Sequence, residues 1–159
     1  MNTREERMPQ SIVHMPRGEG RSQWVLGELL TYKTTSEQTG GAYSLFEVAS
    51  QPGTGPPPHI QHREDESLYV LEGEYEFLDE ERTIRAGVGA LIYVPKGNLH
   101  AHKNVGEGVG RLLVTQTPGG LYERFFESLI FEDQPDVARI LALAARYGIE
   151  ITKGENHEA

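Results

Sequence analysis

No cysteine occurs in the 159 residues, which excludes disulfide staples, thiolate metal sites and cysteine nucleophiles, and fits a reducing, cytoplasmic setting. Positive charge is also scarce. Fifteen Lys and Arg stand against 24 Asp and Glu, a formal net charge of −9, the wrong sign for a nucleic-acid surface. The acidic balance reads most simply as a solubility feature. No run approaches the roughly 18 apolar residues that span a bilayer. The charged start Met1–Arg7 is followed by no apolar stretch of the kind a secretory signal needs. Neither a nucleic acid nor a membrane is therefore expected as a partner.

What is present is punctuation. Eighteen glycines and nine prolines are scattered through short β-rich runs, the pattern of many strands joined by tight turns. Residues 1–22 are polar and read as an N-terminal arm. Residues 23–118 read as one barrel, and residues 119–159 as a C-terminal helical extension. Within the barrel, strands are expected over Trp24–Lys33, Ala42–Ser50, Ser67–Glu72, Glu74–Leu78, around Ile84, and over Ala90–Val94, Leu99–Asn104 and Gly110–Thr117. Closing such a sheet into a barrel or jelly roll buries its edges. The fold class is thus all-β, with one or two C-terminal helices. Leu121, Phe125, Phe126 and Leu129 follow helical spacing. A second helix begins at Pro135 with Asp136 in its first turn, ends before Gly148, and carries Val137, Ile140, Leu141, Ala144 and Tyr147 as one stripe. These helices either cover the outside of the barrel or bring Phe125 and Phe126 over its mouth.

The chemistry concentrates in two segments. Three consecutive prolines, Pro56–Pro58, deliver His59 in an extended conformation. Alternation along a strand then puts His59 and Gln61 on one face. The first segment runs Gly53…His59-Ile-Gln61…Glu66…Gly73, and the second Gly89…Pro95-Lys-Gly97…His100…Asn104. Together they resemble the two motifs of the cupin superfamily, and every marked position agrees except Gln61, where the family carries a histidine. The wider stretch from Gly40-Gly-Ala-Tyr43 through Pro56-Pro-Pro-His59 to Glu72-Gly73, with the ending Ala145-Arg-Tyr-Gly-Ile-Glu-Ile151, is similar to small bacterial quercetin 2,3-dioxygenase-like cupins.

The resemblance implies a double-stranded β-helix whose lumen holds one divalent metal ion (Fe, Mn, Zn or Ni) on His59, Gln61, Glu66 and His100, with Glu66 as the candidate catalytic base. It also implies a homodimer, with the strand-rich Trp24–Tyr32 region available for pairing. Glutamine offers a neutral carbonyl oxygen in place of an imidazole, which weakens the preference for copper and nickel. His102 shares a face with His100 and is a replacement ligand, a hydrogen-bonding support for the metal site, or simply a buried lumen residue. His62 falls on the opposite pleat and should point away. His14 and His157 belong to solvated termini. Glu64 and Asp65 read as a solvated loop, while Tyr69, Leu91 and Tyr93 either line the pocket or fill the core. The implied activity is dioxygenase-like chemistry on a small enolic or aromatic substrate. Gln61 keeps two alternatives open: a non-redox sugar or hydroxy-acid isomerase or lyase, and a cupin that binds a small molecule without catalysis.

Overall fold

A computed structural model describes residues 11–130 and 136–152. The strands are β1 (Ser22–Val25), β2 (Glu28–Thr34), β3 (Ser44–Ser50), β4 (His59–Gln61), β5 (Asp65–Glu72), β6 (Tyr75–Asp79), β7 (Arg82–Ala86), β8 (Leu91–Val94), β9 (Leu99–Asn104), β10 (Gly110–Thr117) and β11 (Ile149–Ile151). Two helices, α1 (Leu121–Ile130) and α2 (Val137–Arg146), fall between β10 and β11. One sheet takes the order β1-β2-β3-β10-β5-β8 and the other β11-β4-β9-β6-β7, with antiparallel pairing throughout. The jelly-roll expectation holds, and both C-terminal helices form.

Period-two alternation decides which residues fill the barrel. In β10, Leu112 and Val114 point inward, opposite Phe46 and Val48 of β3 and Leu68 and Val70 of β5. Each such side chain contributes roughly 1.5–3 kcal/mol by leaving water. The same parity sends Tyr69, Leu91 and Tyr93 to the outer face, where they are exposed. They do not line the pocket, because Glu66, Leu68 and Val70 take the inward positions of β5. The run from Trp24 to Lys33 is not one strand but a hairpin, turned at Leu26 and Gly27, both at positive φ (49° and 81°).

The first motif's closing glycine, Gly73, has φ 84°, and an added Cβ would meet the Gly110 Cα at 3.1 Å. Turn geometry and close packing both require glycine there. Helix α1 is anchored at its start by Glu123, whose carboxylate accepts from the Ser36 backbone N–H at 2.9 Å, the Ser36 hydroxyl at 3.1 Å and the Ser44 hydroxyl. Helix α2 starts later than its pattern suggests. Asp136 is the N-cap, accepting from the Arg139 N–H at 2.7 Å, and Pro135 lies outside the described residues. Val137 is exposed, while Leu143 joins Ala144 in the core.

Beyond α2 the chain turns at Gly148 and adds β11 to the edge of β4, pairing Ile149 with Gln61 and Ile151 with His59. Three residues are too few to show a period, so nothing in the sequence announced this strand. Among the described residues no helix is long and apolar enough to cross a membrane.

Candidate metal centre

His59 and Gln61 lie on the inward face of β4, Glu66 on that of β5, and His100 on that of β9. The pairing of β4 with β9 sets His59 opposite His100, with ring centroids 4.4 Å apart. The turn after Pro95 ties the two motif segments together, since the Gly97 N–H donates to the Gln61 carbonyl at 2.9 Å. One nitrogen of each histidine and one Glu66 oxygen all lie within 4.8 Å of one another, and all three residues are buried.

The hydrogen bonds around this group select the atoms that face one another. His59 Nδ1 is 2.9 Å from the Pro57 carbonyl and His100 Nδ1 is 3.0 Å from the Asn98 carbonyl. Each carbonyl accepts an Nδ1–H, so each ring turns its Nε2 toward the lumen, the arrangement that orients metal-bound imidazoles. His100 Nε2 lies 3.1 Å from Glu66 Oε2. Burial, with His100 beside it, pulls the His59 pKa down to about 4, so the ring is neutral and its lone pair available. Burial also opposes charge on Glu66 and His100. Their mutual contact outweighs it, holding Glu66 below the ordinary carboxylate range and His100 above the ordinary imidazole range.

Gln61 fits a fourth donor position by a separate observation. It is 2% exposed, and neither its amide oxygen nor its amide nitrogen has a hydrogen-bond partner. Leaving such groups unpaired in an interior costs about 1–3 kcal/mol each. Two imidazoles, a carboxylate and an unpaired carbonyl oxygen make a donor set suited to a borderline divalent ion.

Of the other histidines, His62 points outward and pairs with Glu150 at 2.8 Å, as its pleat requires. His14 is exposed, and His157 lies outside the described residues. His102 is not part of the cluster: its Nε2 contacts both carboxylate oxygens of Glu28, at 3.1 and 2.9 Å.

The solvated-loop reading of Glu64 is overturned, since the residue is 1% exposed and its Oε2 has no partner. Burial, reinforced by neighbouring Glu66, pushes its pKa up to about 8, so the carboxyl is buried in its neutral form. Asp65 is half-buried and accepts from the Lys96 N–H at 2.9 Å. Two more polar residues escaped sequence reasoning. Glu28 is in register with the inward Leu30 and Tyr32, and Gln116 with the inward Leu112 and Val114. A polar residue in an inward register was the available signal.

Two cavities meet at His59. The inner one is small, about 40 Å³, and is bounded by Glu28, Phe46, His59, Glu66, His102 and Tyr122. The outer one, about 360 Å³, is walled mainly by carbon from Trp24, Pro57, Phe125, Phe126, Leu129 and Ile140. Phe126 lines both, so α1 and α2 form the mouth of the barrel instead of merely covering its outside.

Residues 46–116 match the Cupin domain family model. No curated protein compared with the chain matches it. Among solved structures, KdgF from Halomonas sp. has a TM-score of 0.61 at 19% identity, covering 68% of this chain and 96% of its own. A predicted oxalate decarboxylase from Thermotoga maritima gives 0.62 at 18% identity, covering 67% and 99%. The polyketide cyclase RemF from Streptomyces resistomycificus gives 0.60 at 23%, covering 67% and 80%. At these identities the likeness is one of fold, shared by proteins named for different chemistries. The cupin domain match thus covers residues 46–116, within a barrel whose fold these solved structures share.

Proposed function

We propose that this chain is a metal-dependent enzyme that acts on a small aromatic or enolic substrate by dioxygenase-like chemistry, the activity implied by its resemblance to quercetin 2,3-dioxygenase-like cupins. The observation that carries this reading is the carbon-walled cleft converging on His59. A planar apolar body fits walls of Phe125, Phe126 and Leu129, with an acidic oxygen on that body directed at His59, the member of the His59–Glu66–His100 group that lines the cleft. A sugar would leave its hydroxyls unpaired against the same walls, at a cost of about 1–3 kcal/mol each. That disfavours the sugar isomerase alternative.

A bound divalent ion supplies Lewis acidity toward the substrate oxygen. The protein's own residues do the rest. Imidazoles held by Pro57 and Asn98 keep their Nε2 atoms in place. Glu66, ionised and buried beside them, is within reach to take the proton of an enolic hydroxyl. The aromatic mouth excludes water. The homodimer expectation is retained, with β1 as an outer strand of the larger sheet.

Trp24 is the sole tryptophan, and it lines the cleft while 62% exposed, so its fluorescence reports occupancy. Metal-loaded protein titrated anaerobically with a flavonol panel should show quenching, and admitting oxygen should then produce oxygen uptake. Quenching without oxygen uptake on any metal removes the dioxygenase reading. Turnover that persists without oxygen favours non-redox chemistry, the reading that Gln61 motivates because a neutral donor retains Lewis acidity. Purified protein carrying less than roughly a tenth of an equivalent of metal supports a binding protein without catalysis.

A further inference from the structure

Tyr122 borders both the inner cavity and the outer cleft, and so does His59. The inner cavity, about 40 Å³, is too small for an aromatic ring and large enough for only a few waters. The residues around it are therefore near neighbours, and Tyr122 is separated from His59 and Glu66 by little more than that space. The tyrosine ring is held on several sides. It stacks on Phe46 with centroids 6.2 Å apart and planes 10° apart, and it meets Phe126 edge-on at 4.5 Å. The next residue, Glu123, ties the start of α1 to Ser36 and Ser44. Neither the ring nor its helical turn has much freedom to swing, so the hydroxyl is held in place before any ligand arrives.

That hydroxyl is left without a protein partner. Among the described residues it makes no hydrogen bond, yet it is not sealed away from water as the unpaired Tyr32 hydroxyl is. A donor that opens on a cavity is satisfied by water until a ligand brings an acceptor. Burial first, and then the carboxylates of Glu66 and Glu28, hold the Tyr122 pKa well above the ordinary tyrosine value. The oxygen keeps its proton.

We infer that the Tyr122 hydroxyl is a binding group for the ligand, donating a hydrogen bond to the acidic oxygen directed at His59. This deepens the proposed function and rests on it. The aromatic body stays in the outer cleft of about 360 Å³, and only its oxygen edge comes between Tyr122 and His59. The inner cavity keeps its water. A donor on the helix side and the metal-binding group on the strand side then approach one oxygen from two directions. An oxygen carrying negative charge accepts such a bond best. Tyr122 therefore selects phenolic and enolic compounds over apolar aromatics of the same shape, and α1 contributes a polar contact as well as part of the mouth.

The test uses zinc-loaded protein, Trp24 quenching, and two probes of one shape, 2-naphthol and naphthalene. Tyr122→Phe keeps the ring between Phe46 and Phe126 and deletes only an oxygen without a protein partner, so the fold is retained. In the unaltered protein 2-naphthol should bind more tightly than naphthalene. In Tyr122→Phe its affinity should fall about tenfold, the equivalent of ~1.4 kcal/mol, while naphthalene affinity and zinc content stay unchanged. An equal loss for both probes makes Tyr122 only a wall of the cleft and overturns the proposal. Unchanged binding of 2-naphthol overturns it too, and both results leave the cleft reading intact. Loss of zinc from Tyr122→Phe ties the residue to the metal instead of the ligand, which also overturns it. Absence of quenching by either probe in the unaltered protein overturns the proposal and the cleft reading together.

Discussion

Replacing Gln61 by methionine separates the demands of folding from those of the metal. The two side chains have similar volume, so repacking costs less than about 1.5 kcal/mol. The substitution deletes two buried amide atoms that have no hydrogen-bond partner, each costing about 1–3 kcal/mol. The metal-free variant should therefore be more stable than the unaltered protein by about 1–3 kcal/mol. At ~2–4 °C per kcal/mol for a chain of this size, that is a visible rise in Tm. The zinc-bound comparison runs the other way. Zinc stabilises the fold by RT ln(1 + [L]/Kd), and loss of one oxygen donor that weakens binding tenfold removes about 1.4 kcal/mol of that increment. Urea denaturation with chelator, then across a zinc series, measures both. A metal-free Gln61→Met variant less stable than the unaltered protein would refute the reasoning, because the glutamine would then be contributing to the fold itself. An unchanged zinc increment would remove Gln61 from the donor set.

Three further outcomes are expected. His100→Ala removes one of the two facing imidazoles and should leave the purified protein with less than roughly a tenth of its metal; full retention by elemental analysis rejects the assigned ligands. Glu64 is protonated when folded, with its pKa at about 8, so its contribution is complete below the ordinary value near 4.5 and is lost as pH rises through 8. Metal-free protein should lose on the order of 4 kcal/mol across that window relative to Glu64→Gln, and parallel stability curves for the two proteins contradict the burial of a neutral carboxyl. Asp136→Ala removes the N-cap of α2 and should cost about 1 kcal/mol in denaturation midpoint, with weaker quenching of Trp24 by aromatic ligands because Ile140 walls the cleft; unchanged ligand affinity detaches α2 from the binding surface.

Much of the barrel was legible because glycine and proline punctuate it. The strands Leu99–Asn104 and Gly110–Thr117 lie where alternation between turns put them. His59, Glu66 and His100 were legible through the resemblance of their two segments to the cupin motifs, and their convergence follows from two short inward-facing registers. Tyr69, Leu91 and Tyr93 were ambiguous because alternation defines two faces without saying which is inner. Glu66 resolves it, since Tyr69 has the opposite parity. Glu64 was illegible for a different reason. Residue polarity anticipates the charged form, whereas the tight turn after Gln61 buries this carboxyl, where it keeps its proton. Glu28 was hidden in a strand pattern of apolar neighbours, and only its contact with His102, 74 positions away, gives it a role.

The pairing of Ile149–Ile151 with His59–Gln61 has a consequence for the order of folding. The ligand-bearing strand β4 is only three residues long, and one of its two neighbours emerges from the ribosome some ninety residues later. Until that late segment docks, β4 is an open edge held by β9 alone. Metal capture should thus be a closing event of biosynthesis. Hydrogen exchange at β4 should report the departure of the C-terminal strand before the rest of the barrel opens.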